Sequence, residues 1–341
     1  MATATAAKTK LSSKLGGNKH VMSTAVGSGG RGWIVEKGID RDLMARGGLP
    51  VQLGEIQETL LISVYLRALE TMRADGIIRD HKAVEIVRSV DYDFGKFDNA
   101  WYLQIGIAVA TEIIDEAVKN FLAHHRTATV VNLGAGLDGR FMRMDDGRVR
   151  WFDLDLPDAI ALRRQFYQES ERNRFLAGSM FDDSWINEIS YSNGRDVLLI
   201  AEGLFPYLAE KDLKNFLSRI ATRLAGAELL FESISPTYVG QELLVPAINQ
   251  TRAKLRWGIH SGRELESWDA RYQFLDEWCC TDRHPSRWGL LFYLCQMPWW
   301  HDLASEAMEI TRLRLRGRDP TCIADRRGTE SQSEPGVFTV V

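Results

Sequence analysis

Short, unbroken apolar runs alternate along this chain with longer stretches in which apolar residues return at helical spacing. The runs cover residues 128–133, 149–154, 175–177, 197–201 and 229–231. Each is too short for a helix and lacks the polar alternation of a half-exposed strand, so each predicts a strand buried on both faces. Residues 158–169 and 210–224 read as helices between them, and that alternation predicts a parallel sheet covered on both sides. Upstream, Ile56, Leu60, Leu61, Val64, Leu66, Leu69 and Met72 give 56–73 a broad apolar helical face, and 100–124 reads as a second helix leading into the first strand. Downstream, 273–278 and 308–315 read as further strands.

The stretch that carries most chemistry is Val131-Asn132-Leu133-Gly134-Ala135-Gly136-Leu137-Asp138-Gly139-Arg140, followed by Asp153 and Asp155 at the end of the second apolar run. Glycines after a strand let the main chain lie against a ligand, and an acid about 20 residues on can accept both hydroxyls of a ribose. The spacing fits two ligands. Gly134, Gly136 and Gly139 spell the glycine pattern of a dinucleotide site, whose loop receives a pyrophosphate. Asp138 places a carboxylate in that loop, which disfavours phosphate and favours an ammonium or sulfonium, as in S-adenosylmethionine (SAM).

These residues, with Asp153-Leu154-Asp155-Leu156-Pro157 and Ala201-Glu202-Gly203-Leu204-Phe205-Pro206-Tyr207-Leu208, resemble the leucine carboxyl methyltransferase family and its bacterial polyketide O-methyltransferase branch. Asp91-Tyr92-Asp93-Phe94 with Lys96-Phe97, and Asp282-Arg283-His284-Pro285 with Trp288, extend the resemblance over roughly residues 50 to 316. It implies a class I SAM-methyltransferase fold: an α/β, doubly wound, Rossmann-like sheet of seven mostly parallel strands, with antiparallel strands at one edge and a helical N-terminal lid. The division it implies is an N-terminal extension over 1–50, flexible and then a lid, and a helical cap over 51–127. A SAM-binding domain would follow over 128–316, with a cap insertion about 236–270, and then an exposed tail over 317–341 ending in a candidate edge strand.

Composition agrees with a globular enzyme. A 45% hydrophobic content supplies a core, while a net charge of −4 with dispersed Lys and Arg excludes a nucleic-acid footprint. The four cysteines, Cys279, Cys280, Cys295 and Cys322, include no C-x-x-C pair and have no His at ligand spacing. Neither a metal site nor a disulfide framework is expected. No run reaches the ~18 apolar residues of a membrane span, and the N-terminus lacks a signal peptide's apolar segment. A cytoplasmic protein acting on a small molecule, without nucleic-acid or membrane partners, is the expectation; the oligomeric state is not legible.

Ligands of open α/β sheets sit at the carboxyl ends of strands, which selects the candidate site. Gly134, Ala135, Gly136 and Asp138 follow the first strand, and the resemblance makes Asp155, after the second, the ribose ligand, with Asp153 as fallback and helix capping as the competing role. Met180, Phe181 and Asp182, after the third strand, match the family's adenine contacts; capping the next helix is the alternative for Asp182. Glu202, after the fourth, matches a SAM contact, against pairing with a structural Arg. Phe205 and Tyr207 lie just beyond and are candidates to face a sulfonium, with core packing as the alternative. Arg67 falls where the family presents a base to the methionine carboxylate, or else is a solvated helix-face residue. Glu202, Tyr207 and Phe205 are the candidate catalytic residues.

One family element is missing. In Ile107-Ala108-Val109-Ala110-Thr111-Glu112-Ile113-Ile114-Asp115 the family's Arg before Thr, a grip on the SAM carboxylate, is replaced by Ala110. Loss of such a clamp weakens binding or frees the amino-acid end of SAM. Methyl transfer to a carboxylate or hydroxyl oxygen is the first expectation for this chain. The second is attack of SAM's own amine on its γ-carbon, giving azetidine-2-carboxylic acid and methylthioadenosine, as in the azetidine-2-carboxylate synthases. The third is a SAM-binding protein without turnover.

Overall fold

The computed structural model describes residues 49–50, 58–189, 194–295, 297 and 307–317. The expected lid and flexible start over 1–48, and the tail beyond 317 with its edge strand, lie outside the described residues.

Seven strands form one sheet: β1 (Thr129–Leu133), β2 (Arg150–Asp155), β3 (Asn173–Ala177), β4 (Val197–Ala201), β5 (Glu228–Ser233), β6 (Tyr272–Cys279) and β7 (Glu309–Leu315). Their spatial order is β3-β2-β1-β4-β5-β7-β6. The first five are mutually parallel, and β7 runs antiparallel to both β5 and β6. This is the doubly wound, Rossmann-like sheet expected of a class I SAM-methyltransferase. β1, β4 and β5 are buried at every position, as unbroken apolar runs require when helices cover both faces.

The pleat sends alternate side chains to two cores. Val131, Leu133, Leu199 and Ala201 pack with Phe205, Phe216, Leu217 and Ile220 on one face. Val130, Leu198, Ile200 and Ile310 meet Val109, Ala110, Ile113 and Val118 on the other. The second group belongs to α3 (Trp101–His124), a 24-residue helix buried over most of its circumference. Before it come α1 (Thr59–Met72) and α2 (His81–Ser89), the latter capped by Asp80, which accepts from Ala83 N at 3.0 Å. Leu61, Val64 and Tyr65 of α1 pack with Ile86, Phe94, Ile248 and Leu255, so part of the segment after β5 joins the upstream helices.

Element ends moved where polar residues disguised the pattern. β3 starts at Asn173, not 175, because the Asn173 amide is buried and donates to Asp153 at 2.9 Å. The helix after β2 starts on Pro157 at its first turn and ends at Phe166. No described helix is long and apolar enough to cross a membrane.

Candidate active site

The strand order reverses between β1 and β4, and a cavity of about 420 Å³ opens over the carboxyl ends of the strands there. Doubly wound sheets place ligands at this position. After β1, Gly134 and Gly136 take φ of 64° and 45°, the left-handed region that side chains disfavour. That turn aims Gly136 N–H at Asp155, donating to Oδ2 at 2.7 Å, while Leu156 N–H donates to Oδ1 at 2.7 Å. Asp155 keeps part of its carboxylate on the cavity, and burial raises its proton affinity above that of an ordinary aspartate. Gly178 and Gly203 line the same space, and a Cβ on either would meet no protein atom within 4 Å. The two glycines thus leave that part of the cavity open.

Behind this floor lies an ion-pair cluster. Arg140, fully buried, donates to Asp115 at 2.6 Å, Asp138 at 2.7 Å and Glu202 at 2.5 Å. Arg143 adds a bond to Asp115 at 2.8 Å, and Thr111 Oγ1 donates to Glu202 at 3.1 Å. Burial alone would raise Asp138, but Arg140 and Arg143 hold its carboxyl well below the usual range. Arg67 Nε lies 3.2 Å from Asp80 at an angle that makes no hydrogen bond, although the side chain is buried and lines the cavity. Three guanidiniums thus face Asp80, Asp115, Asp138 and Glu202, leaving one negative charge in excess before Asp155 is added. Such a site attracts a cation.

Glu232, at the end of β5, lines the cavity and is 8% exposed. Gly203 N–H donates to one of its oxygens at 3.1 Å. Burial, reinforced by the charge of Glu202, pushes its carboxyl up to about 8. Most of the remaining lining is apolar, including Tyr102, Leu103 and Ile107 of α3, Ile234, Val245, Leu255, Trp288 and Met308. Among the described residues no group of three or more His, Cys, Asp or Glu is arranged to hold a metal.

The structure brings Arg67, Gly134, Ala135, Gly136, Asp138, Asp155, Met180, Phe181, Glu202 and Tyr207 to this one cavity. Burial at 3% rules out the solvated reading of Arg67. Tyr207 is buried there, and desolvation with the nearby Glu232 raises its phenol. Two candidates are elsewhere. Phe205 is 0% exposed and packs on Phe231, Phe216 and Trp257, because the turn after Glu202 directs it back under the sheet. Asp182 is exposed, absent from the cavity lining, and its Oδ1 accepts from Ser184 N at 3.0 Å, the helix-start role that competed with adenine binding.

Asp153, the ribose fallback, is consumed internally: Arg163, Trp151 and Asn173 all donate to it within 2.9 Å. Asp138 and Glu202 line the cavity and are both paired with Arg140, so the pairing with a structural Arg does not take Glu202 away from the cavity. Ala110 is fully buried in the core between α3 and the sheet and does not line the cavity. Sequence reasoning missed Arg140, Asp115 and Glu232. For Glu232 the signal was present: Leu229-Leu230-Phe231-Glu232 is an apolar run ending in an acid, as is the run that ends in Glu202.

Comparison with known proteins bears on this geometry. Residues 61–221 match the family model of leucine carboxyl methyltransferase. The tetracenomycin polyketide synthesis O-methyltransferase TcmP of Streptomyces glaucescens is 32% identical over 236 residues, spanning 69% of this chain and 87% of that protein. The chain belongs to the leucine carboxyl methyltransferase family. An S-adenosyl-L-methionine-dependent methyltransferase of Gibberella zeae, dpfgK, is 28% identical over 240 residues, 64% of this chain and 80% of the relative. Membership makes the protein an enzyme of the SAM-dependent transferase type.

Proposed function

We propose that the protein transfers the methyl group of SAM to an oxygen of an apolar small molecule of secondary metabolism. When bound, SAM supplies an electrophilic methyl on a positively charged sulfur. The observation that carries this reading is a single cavity with an acidic, glycine-lined floor at the strand ends and an apolar remainder. Asp155 would accept both ribose hydroxyls, its position fixed by Gly136 and Leu156. Met180 and Phe181 would flank the adenine, Arg67 would take the methionine carboxylate with the donors it does not spend on Asp80, and Glu202 would meet the α-ammonium.

The acceptor would lie among Tyr102, Ile107, Val245, Leu255 and Trp288, where desolvation and proximity favour an in-line displacement. The named relatives are methyltransferases, which favours transfer over cyclisation. Incubation with methyl-labelled SAM, with and without a panel of apolar hydroxyl and carboxyl compounds, followed by mass spectrometry, tests the reading. Label should move only when an acceptor is present. Methylthioadenosine and azetidine-2-carboxylic acid from SAM alone would replace it with the cyclisation.

A further inference from the structure

Gly106 of α3, Trp288 and Met308 meet at one corner of the cavity, and all three line it. Gly106 lies inside a 24-residue helix, where glycine is the poorest residue short of proline. It does not take the left-handed φ that Gly134 and Gly136 take, so the backbone does not require it. Space does. A Cβ at this position would come within 3.3 Å of Met308 Sδ, 3.5 Å of Met308 Cε and 3.9 Å of Trp288 Cη2.

The two neighbours are not equally free to yield. The Trp288 indole N–H donates to the Arg283 carbonyl at 2.8 Å, and the residue is 5% exposed, so its ring is held. Met308 is tied through its main chain, where its carbonyl accepts from Cys280 N–H at 3.1 Å. Its unbranched, half-buried thioether keeps its rotatable bonds and adapts to whatever lies beside it.

Position along α3 places this corner in the apolar half. Thr111 Oγ1 binds Glu202 at the acidic floor, and Gly106 comes five residues earlier, about 7.5 Å along the helix axis. Leu103 and Ile107 line the cavity beside it. A ligand body that extends from the floor along α3 therefore meets Met308.

Resting on the methyl-transfer reading, we propose that Met308, seated on Gly106, sets the breadth of acceptor that the apolar half admits. The glycine lets the thioether pack directly on the helix backbone. A side chain at 106 would drive the thioether off the helix, away from the held indole and towards the cavity that it lines. Truncating Met308 would open a recess down to the helix. This selection acts on size alone and is indifferent to whether the acceptor oxygen belongs to a carboxylate or a hydroxyl.

The test uses the full chain saturated with S-adenosylhomocysteine, as wild type, Gly106→Ala and Met308→Ala. Two probes of like chemistry and different breadth, 2-naphthoic acid and pyrene-1-carboxylic acid, are titrated into each by calorimetry, and the ratio of their affinities is the readout. Gly106→Ala should shift the ratio against the pyrene acid and Met308→Ala towards it, each by roughly 10-fold, the worth of about one methylene in a fitted apolar pocket. Affinity for S-adenosylhomocysteine should be the same in all three. A ratio that stays put in either folded variant, or moves the other way, would overturn the proposal, as would failure of all three proteins to bind either probe. A glycine kept for packing alone predicts such an unchanged ratio together with a lower melting temperature for Gly106→Ala. Should that variant fail to fold, Met308→Ala decides alone. Absence of S-adenosylhomocysteine binding in the wild type would instead remove the methyl-transfer reading beneath the proposal.

Discussion

Arg140 donates to Glu202 at 2.5 Å from a position with no solvent exposure, so the acid that ends β4 reaches the cavity already held in place. The same guanidinium holds Asp115 of α3 and Asp138 of the glycine turn. One side chain thus ties the helix, the turn and the strand end into a fixed electrostatic floor.

Removing it should leave three carboxylates without their buried cation. Breaking a buried pair by deleting one partner costs about 3–5 kcal/mol, so Arg140→Met should lower the unfolding free energy by about that amount. Urea denaturation of the two proteins at neutral pH measures it. A change within the ~0.5 kcal/mol of an ordinary surface substitution would show that the cluster does not hold the floor together.

Phe205 and Tyr207 are two residues apart and should separate in their effects. Phe205 fills the core against Phe231 and Trp257, so Phe205→Ala should cost about 3–5 kcal/mol of stability. Tyr207 lines the cavity with Thr59, to which its phenol is hydrogen-bonded, so Tyr207→Phe should leave stability within about 1 kcal/mol and reduce kcat/KM by roughly 2–10-fold through loss of that bond at the cavity wall. Denaturation curves and initial rates on both variants decide the assignment.

Glu232 should make stability depend on pH. Burial and the Glu202 charge raise its carboxyl from the ordinary 4.5 to about 8, so the folded chain keeps a proton that the unfolded chain releases. Its contribution is fully present below about pH 4.5 and is lost as pH rises towards 8. Glu232→Gln, which cannot ionise, should therefore gain on the wild type across that window, by on the order of a few kcal/mol, and hold a constant advantage above it. Urea midpoints of both proteins at acid, neutral and alkaline pH give the comparison. A constant difference throughout would show that Glu232 titrates normally.

Ala110, the position at which the sequence reading expected an arginine clamp, is buried between α3 and the sheet with no room for one. Ala110→Arg should destabilise the protein by more than about 3 kcal/mol, through overpacking and an unpaired buried charge, without tightening SAM binding. Thermal unfolding with and without SAM reports both quantities. A stable variant with higher affinity would show that the missing clamp can be rebuilt.

Much of this was readable from residue order. The five parallel strands were legible because their runs are apolar on both faces, and Gly134, Gly136 and Asp155 because a glycine turn before a strand-end acid has few other uses. The partners of the acids were not. Asp153 and Asp155 look alike in sequence, and only the fold shows that Arg163, Trp151 and Asn173 enclose the first while the second lines the cavity. Phe205 likewise reads as a neighbour of Tyr207, yet the turn after Glu202 sends the two rings in different directions. Arg140 was legible as a letter of the motif and not as its electrostatic centre, since its three acids come from separate segments.

Calorimetric titration of S-adenosylhomocysteine into the wild type and Asp155→Ala tests the central claim most directly. Charged hydrogen bonds are worth about 1.5–3 kcal/mol, so the account predicts one ligand bound per chain and an affinity at least roughly 10-fold weaker in the variant, measured at a temperature well below the melting point of both proteins because the variant also loses the bonds from Gly136 and Leu156. No binding to the wild type, or equal affinity in both proteins, would contradict it.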